Sequence, residues 1–241
     1  MTTDPSSDPR IELYYWPTPN CWKITIFCEE VGLPYHVVPR NILEGAQFTP
    51  EYGAINRFRK VPALTDPNGP GHVPITLTES AAILLYLSEK TGRLGGASAV
   101  GRWEILQWLM FQVGTVGPML GQAHHFRTYS PERIPYAIDR YTNEAATIYG
   151  VLDQRLRDSE YLAGDYSIAD VCVFPWTVFY KRQGQSKDDF PHFARWFEAV
   201  KARPAVRRGI DVGKELRTET LTTEQRQTVF GKKAASGGAP P

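Results

Sequence analysis

The chain is 241 residues long, 42% hydrophobic and 22% charged, and its 27 basic and 26 acidic side chains leave a formal net charge of +1. That is the composition of a globular protein able to bury one large core or two modest ones, and the near balance of charge gives no overall field to recruit nucleic acid or an anionic membrane. No apolar run is long enough to cross a bilayer, and the polar start MTTDPSSDPR has no apolar signal core, so a cytoplasmic setting is expected, with no membrane or nucleic-acid partner.

In chain order, residues 1–10 read as a disordered tail rich in Pro, Ser and Asp. Residues 11–16 (IELYYW) are apolar and aromatic, prolines break the run at Pro17 and Pro19, and apolar positions then recur at helical spacing (Ile24, Phe27, Cys28, Val31). This predicts a strand, a tight turn and a helix with Asn20 as its N-cap. Gly32-Leu33-Pro34 ends the helix, and residues 35–39 form a second strand, expected to run parallel to the first. After Gly45, residues 47–55 are a short helical or irregular connection. Segments 61–64 and 74–77 flank the turn cluster Asn68-Gly69-Pro70-Gly71 and predict a hairpin. From Glu79 the stretch SAAILLYLSEK is a helix with a broad apolar stripe for the sheet. The order β-α-β, connection, β-β-α is that of an α/β thioredoxin-like domain over residues 11–90.

Residues 91–99 turn to Gly, Ser and Ala and read as a linker. An all-helical domain is expected over 100–216. Its first helix spans about 100–126, with Trp103, Leu106, Leu109, Met110 and Val113 inward and a kink at Gly114, Gly117 and Pro118. A second spans about 131–158, opened by Ser130-Pro131-Glu132, with Ile138, Tyr141, Ala145, Ile148, Leu152 and Leu156 as its core stripe. Ser167-Ile168-Ala169-Asp170 has the spacing of a capping box and opens the buried helix VCVFPWTVF. Segments 190–200 and 204–216 complete the bundle, Trp103, Trp108, Trp176 and Trp196 are assigned to its core, and 217–241 read as a flexible tail.

Chemistry concentrates at a few places. A loop that ends at a helix N-terminus offers unpaired amides and the positive end of a dipole, which suits an anion. Here that position carries Thr18, Asn20 and Cys21, small polar and sulfur groups placed where a thiolate would be stabilised. Glu79-Ser80 occupies a second helix start, where it either binds an anion or merely caps the helix. The three cysteines make no disulfide framework: Cys21 and Cys28, two turns apart on one helix, would lie roughly 10 Å from each other. Cys28 and Cys172 fall on core stripes. His124-His125 lacks a carboxylate or cysteine at ligand spacing, so a packing role is expected and no metal. No Ser-His-Asp arrangement, phosphate loop or dinucleotide fingerprint is present.

Val61-Pro62, Glu79-Ser80, the linker and Ser167-Ile168-Ala169-Asp170 make residues 11–216 resemble the cytosolic glutathione transferases. Thr18-Pro19-Asn20 with Lys23-Ile24-Thr25, Gln47-Phe48, Gly117-Pro118-Met119-Leu120-Gly121-Gln122, Tyr136-Ala137-Ile138 and Arg140-Tyr141 are closer still to the nu-class branch. This is the bacterial disulfide-bond oxidoreductase group related to the yeast nitrogen-regulator prion protein. The resemblance implies a glutathione site: Val61 beside a cis Pro62 pairing with the cysteinyl unit, and Ser80 and Glu79 holding the γ-glutamyl carboxylate and ammonium. Gln47 and Lys60 would then reach the glycyl end, with Thr18 and Asn20 at the sulfur and Arg140 coming from the helical domain. It further implies a homodimer.

Three departures from the branch stand out. Cys21, followed by the bulky Trp22, replaces a small residue, often glycine; a thiol in a first helical turn has the electrostatics of a lowered pKa and of a mixed disulfide with glutathione, or it is a half-buried bystander. Arg57-Phe58-Arg59 replaces an Asn/Gly-rich approach to Lys60, and the C-terminal tail either covers the site or does nothing. The expected activity is glutathione-dependent reduction of a small disulfide. The alternatives are glutathione transfer to a hydrophobic electrophile, thioether cleavage, and a glutathione-binding regulator with little turnover.

Overall fold

The computed structural model describes residues 10–218 and 220–231. Residues 1–9 of the tail predicted at 1–10, and the stretch from 232 onward, lie outside the described residues. By the density of its contacts the chain falls into two compact units: one of Met1–Pro17, Pro34–Thr78 and Gly213–Pro241, the other of Thr18–Leu33 and Glu79–Val212.

The first unit is built on a four-stranded mixed sheet. β1 (Ile11–Tyr15) lies parallel to β2 (Tyr35–Pro39), and on its other side antiparallel to β3 (Ala63–Asp66), which pairs antiparallel with β4 (Ile75–Thr78), giving the order β2-β1-β3-β4. The register sets Leu13 opposite both Val37 and Leu64, and Leu64 opposite Leu77. Leu13 and Leu64 are wholly buried, as expected of the central strands. The parallel β1–β2 pair and the β3–β4 hairpin are those predicted from the pattern. A 3₁₀ turn (Ala46–Phe48) and α2 (Pro50–Ile55), capped by the Thr49 hydroxyl, fill the connection to β3. Tyr14, Tyr52 and Ala63 form a small core beside the sheet, against which Val38, Ile55 and Val61 pack.

In the second unit, α1 (Pro19–Val31) starts two residues earlier than predicted, and its N-cap is Thr18 rather than Asn20. Pro19 is the reason: proline suits the first helical position, where its preset φ is helical and its missing N–H is no loss, and it forces the preceding residue into the extended geometry an N-cap needs. Thr18 has φ −122° and ψ 157°, and its hydroxyl accepts from the Cys21 amide. α3 (Ser80–Thr91) is closed by Gly92 in the left-handed region.

α4 (Ala99–Phe111) runs through a π-helical segment (Gln112–Val116) into α5 (Gly117–His124) and a second π-helical segment (His125–Tyr129). The predicted kink is thus a π insertion, a common consequence of one extra residue in a turn. The face assignment of α4 needs correction. Of the residues expected inward Leu109 is buried, but Trp103, Met110 and Val113 are 67%, 54% and 36% exposed, and Leu109 shares its buried face with Ile105, Gln112 and Val116. Each face carries apolar residues at helical spacing, and the polar Gln112 on the buried one argues against it in the sequence, so periodicity alone chooses wrongly.

α6 (Pro135–Arg157) starts at Pro135, not Pro131; Ser130 instead spends its hydroxyl on the Glu132 carbonyl, closing a bend ahead of the helix. α7 (Ile168–Thr177), α8 (Pro191–Ala202) and α9 (Pro204–Asp211) follow. The capping box forms as predicted: Asp170 accepts from the Ser167 amide at 3.0 Å, and also from the Leu162 amide at 3.0 Å and the Trp196 indole at 2.8 Å. Burial pushes its carboxyl up to about 6 against the pull of these hydrogen bonds.

α1 is clasped by α9. Thr25 donates to the Gly209 carbonyl at 2.7 Å, and a Cβ at Gly209 would lie 2.6 Å from the Ile26 backbone. Arg203 forks onto Glu30 at 2.7 and 2.9 Å, with Tyr166 beneath its guanidinium at 3.7 Å, and Arg208 reaches Glu29 at 2.7 Å. In the predicted C-terminal tail, α10 (Thr223–Arg226) is opened by a Thr222–Gln225 capping box and runs on into a π-helical segment (Gln227–Gly231).

Candidate active site

Thr18, Asn20 and Cys21 share the first turn of α1. The Thr18 oxygen is occupied by the Cys21 amide at 3.4 Å, so its hydroxyl hydrogen is left to donate elsewhere. Asn20 accepts from the Trp176 indole of α7 at 3.0 Å, which fixes its amide and turns its NH₂ away from that contact. Two glycines make room for this. A Cβ at Gly117 would lie 2.9 Å from the Gln112 amide nitrogen, and one at Gly121 would lie 3.2 Å from two ring carbons of Trp176. Trp176, expected in the bundle core, is therefore half-buried and holds Asn20. Cys21 is completely rather than half-buried, and Trp22 beside it stacks on Phe179 at 5.8 Å.

Ser80 begins α3, preceded by an exposed Glu79 with φ 67° and ψ 111°. That conformation costs a non-glycine residue of the order of 1–3 kcal/mol and is concentrated at ligand sites. Glu79 makes no capping hydrogen bond in return. The Ser80 hydroxyl meets Lys23 of α1 at 3.1 Å, and Lys23 also donates to Gln112 Oε1 at 2.6 Å, which accepts the Cys172 thiol at 3.4 Å. Lys23 is 1% exposed. Burial pulls its ammonium below the usual lysine range, against the opposing influence of Cys172, Glu79 and Cys21. Arg140 is exposed on α6.

Sequence reasoning missed Lys23, Gln112 and Trp176. Lysine and glutamine at single positions read as surface, and only their partners, 57 to 89 residues away in the chain, reveal the network. The presence of Lys23 in a motif shared with the branch was the one signal available.

In the first unit, the peptide between Val61 and Pro62 is cis, as the resemblance implied. The preceding carbonyl, of Lys60, is held from two sides: by the Tyr52 hydroxyl at 2.6 Å and by the Asn56 amide at 2.7 Å. The Lys60 side chain is exposed, Val61 half-buried and Pro62 buried. Gln47 is buried and donates to the Ile42 carbonyl at 3.2 Å. Of the departing segment, Arg59 folds back onto the carbonyls of Phe48 and Thr49 at 2.6 and 3.2 Å, while Phe58 is exposed. Arg59 thus serves this loop, and Tyr52 and Asn56 are supports that the sequence did not announce.

All three cysteines are buried. Burial, reinforced by Glu29, raises the Cys28 thiol well above its ordinary range, and burial raises Cys172 against the opposing pull of Lys23. His124 packs between Tyr129 and Phe179 at 4.9 and 5.2 Å, the packing role expected for it. Burial, with Arg182 and His125 nearby, lowers its pKa to about 4. Among the described residues no three His, Cys, Asp or Glu side chains are grouped to hold a metal ion, and no helix is long and apolar enough to cross a membrane.

Two family models match the chain: the glutathione S-transferase N-terminal domain over residues 18–90 and the glutathione S-transferase C-terminal domain over 119–204. The disulfide-bond oxidoreductase YfcG of Escherichia coli is 45% identical over 198 residues, 81% of this chain and 92% of that protein. Among solved structures, a glutathione transferase of Burkholderia graminis with two glutathione molecules bound per subunit is similar with a TM-score of 0.81. It shares 42% identity over 86% of this chain and 89% of that one. A Pseudomonas putida glutathione transferase with one glutathione disulfide bound per subunit has a TM-score of 0.82 at 38% identity, covering 86% of this chain and 93% of that one. The parallel β1–β2 pair, the β3–β4 hairpin and the helical segments from α4 to α9 are accordingly those of a glutathione transferase fold, and the chain belongs to the glutathione S-transferase family, in the branch that includes the disulfide-bond oxidoreductases.

Proposed function

We propose that the chain is a glutathione-dependent disulfide reductase whose reacting thiols come from glutathione. The observation that carries this reading is the burial of all three cysteines. A chain with no exposed thiol must borrow one to reduce a disulfide. The bacterial relative is a disulfide-bond oxidoreductase, and the two neighbours hold either two glutathiones or their disulfide, the reductant and oxidised product of this chemistry.

In the proposed reaction, the thiolate of one glutathione attacks a sulfur of the substrate disulfide, forming a mixed disulfide and releasing a substrate thiolate, which takes up a proton. A second glutathione thiolate attacks the glutathione sulfur of the mixed disulfide, releasing the other substrate thiol and leaving glutathione disulfide. Two electrons pass from the glutathione pair to the substrate. The Thr18 hydroxyl and the Asn20 amide donate to the first sulfur and favour its thiolate, which is the nucleophile. Both groups are preset for this by accepting from Cys21 and Trp176. Ser80, at the α3 N-terminus, donates to the γ-glutamyl carboxylate with Glu79 at the ammonium, and Val61 pairs with the cysteinyl backbone. Gln47 and Lys60 serve the glycyl end, and Arg140 serves glutathione from α6. The strained backbone of Glu79, with no capping bond to explain it, supports a ligand role over a purely capping one.

A domain boundary at the 91–99 linker, a cytoplasmic setting and a homodimer complete the proposal. The dimer draws on the exposed apolar face of α4, where Val100, Trp103 and Met110 stand out of the unit. Transfer to a hydrophobic electrophile is the second reading. It draws on a cavity of about 570 Å³ in the helical unit, lined by Phe174, Val178, Phe179, Phe197 and Ile210 but also by Lys181, Arg182, Lys187, Lys201 and Arg207.

The test is turnover of hydroxyethyl disulfide with glutathione by the native chain, Cys21→Ser and Thr18→Ala. Native turnover is expected, with Cys21→Ser near native and Thr18→Ala down about 10²-fold, as for loss of one oxyanion-type donor. Tight glutathione binding without disulfide turnover would sink the reductase reading, and transfer to an aryl halide would then take its place. Loss of activity in Cys21→Ser with little effect of Thr18→Ala would replace it by a covalent monothiol route.

A further inference from the structure

Lys23 donates to the Ser80 hydroxyl at 3.1 Å and to Gln112 Oε1 at 2.6 Å, with the Cys172 thiol a further partner. It is all but excluded from solvent, a place a lysine seldom occupies without a reason. An ammonium has three donors and no acceptor, so it can only fill a lone pair of the Ser80 oxygen. The Ser80 O–H is then barred from pointing inward and must donate away from Lys23. It does so at the first position of α3, where the backbone amides are unpaired and the helix dipole is positive.

We infer that Lys23 is a positioning residue for a carboxylate at Ser80, committing the Ser80 hydroxyl to donate outward at the α3 N-terminus. The inference rests on the reading of Ser80 as the anchor of the γ-glutamyl carboxylate. It accounts for features that reading leaves unexplained: a buried cation one side chain behind the site, and a glutamine buried in a π-helical segment to hold it. Gly117 belongs to the same device, because a side chain there would strike the Gln112 amide. The groups that face Lys23 from its surroundings are Cys21 on its own helix, Glu79 ahead of α3 and Cys172 on α7. They favour the ammonium against its burial, and Glu79 is the one carboxylate among them.

The experiment is calorimetric binding of two ligands, glutathione and γ-aminobutyryl-cysteinyl-glycine, which differs from it only in lacking the γ-glutamyl carboxylate. The proteins are the native chain, Lys23→Met, Ser80→Ala and the double variant. Each single variant is expected to weaken glutathione about tenfold, the worth of one charge-assisted hydrogen bond. Binding of the decarboxylated ligand should stay within about twofold of native, and the double variant should lose no more than either single one. Equal weakening of both ligands by Lys23→Met would make Lys23 a packing residue and overturn the inference. So would native glutathione affinity in Lys23→Met while Ser80→Ala weakens it, an outcome that spares the reading of Ser80. Unchanged glutathione binding in Ser80→Ala overturns that reading and the inference with it. Should Lys23→Met fail to fold, the native chain with ¹⁵N-labelled lysines decides: the solvent-shielded Lys23 ammonium resonance is expected to shift with glutathione and not with the decarboxylated ligand. An identical response to both overturns the inference.

Discussion

At the scale of single residues, the hydrogen-bond acceptors of the site are filled from behind so that its donors face outward. Thr18 accepts from the Cys21 amide, Asn20 from Trp176 and Ser80 from Lys23. The residue types were legible in the sequence, but their orientation was not, because it depends on partners remote in the chain. His124 belongs to the same scale. Its Nε2 is buried with no hydrogen-bond partner among the described residues, and its pKa of about 4 lies below that of the unfolded chain. Between about pH 6.5 and 4 the unfolded chain therefore takes up a proton that the folded chain refuses, so stability falls as pH falls through that window. At pH 5 the loss from this one site is about 2 kcal/mol. Asp170 carries the opposite sign: its folded carboxyl keeps a proton up to about pH 6, and its contribution falls as pH rises. His124→Phe, which keeps a ring between Tyr129 and Phe179, is expected to shrink the difference in urea midpoint between pH 7 and pH 5. An unchanged difference would show that the acid loss lies elsewhere.

At the scale of elements, what was legible is what is local. The Ser167–Asp170 capping box, the β3–β4 turn and the stop of α1 at Gly32 each depend on a few neighbouring residues. What was not legible depends on choices between near-equal local options: Thr18 or Asn20 as cap, Pro131 or Pro135 as first residue, one apolar face of α4 or the other. The π-helical segment before α5 is of this second kind. It presents Gln112 inward, and the glycines at 117 and 121 leave space for Gln112 and Trp176. Gly121→Ala is expected to push Trp176 off Asn20. It should lower stability by about 1 kcal/mol, the low end for overpacking, and raise the KM for glutathione. Gly150→Ala in α6, where an added Cβ meets nothing within 4 Å, is expected to stabilise by about 0.5–1 kcal/mol with KM unchanged. Urea melts and initial rates separate the two; equal behaviour would remove Gly121 from the support of the site.

At the scale of the whole molecule, the exposed stripe of α4 is the largest departure from the predicted core. Trp103 was assigned inward because an aromatic at helical spacing is usually core, and a surface that self-associates carries the same pattern. Trp103→Glu is expected to convert a dimer to a monomer in sedimentation at micromolar concentration without lowering helix content; a native chain that sediments as a monomer would refute the assignment of that face. The clasp of α9 on α1 has a temporal consequence as well. The Thr25–Gly209 bond closes a span of 184 residues, and the Arg203–Glu30 and Arg208–Glu29 pairs close spans of 173 and 179. Loop closure of that length is slow. The helix that carries Thr18, Asn20 and Lys23 is synthesised well before the segment it seats against. A nascent chain should therefore acquire affinity for glutathione abruptly, once α9 has been released, rather than by degrees as synthesis proceeds.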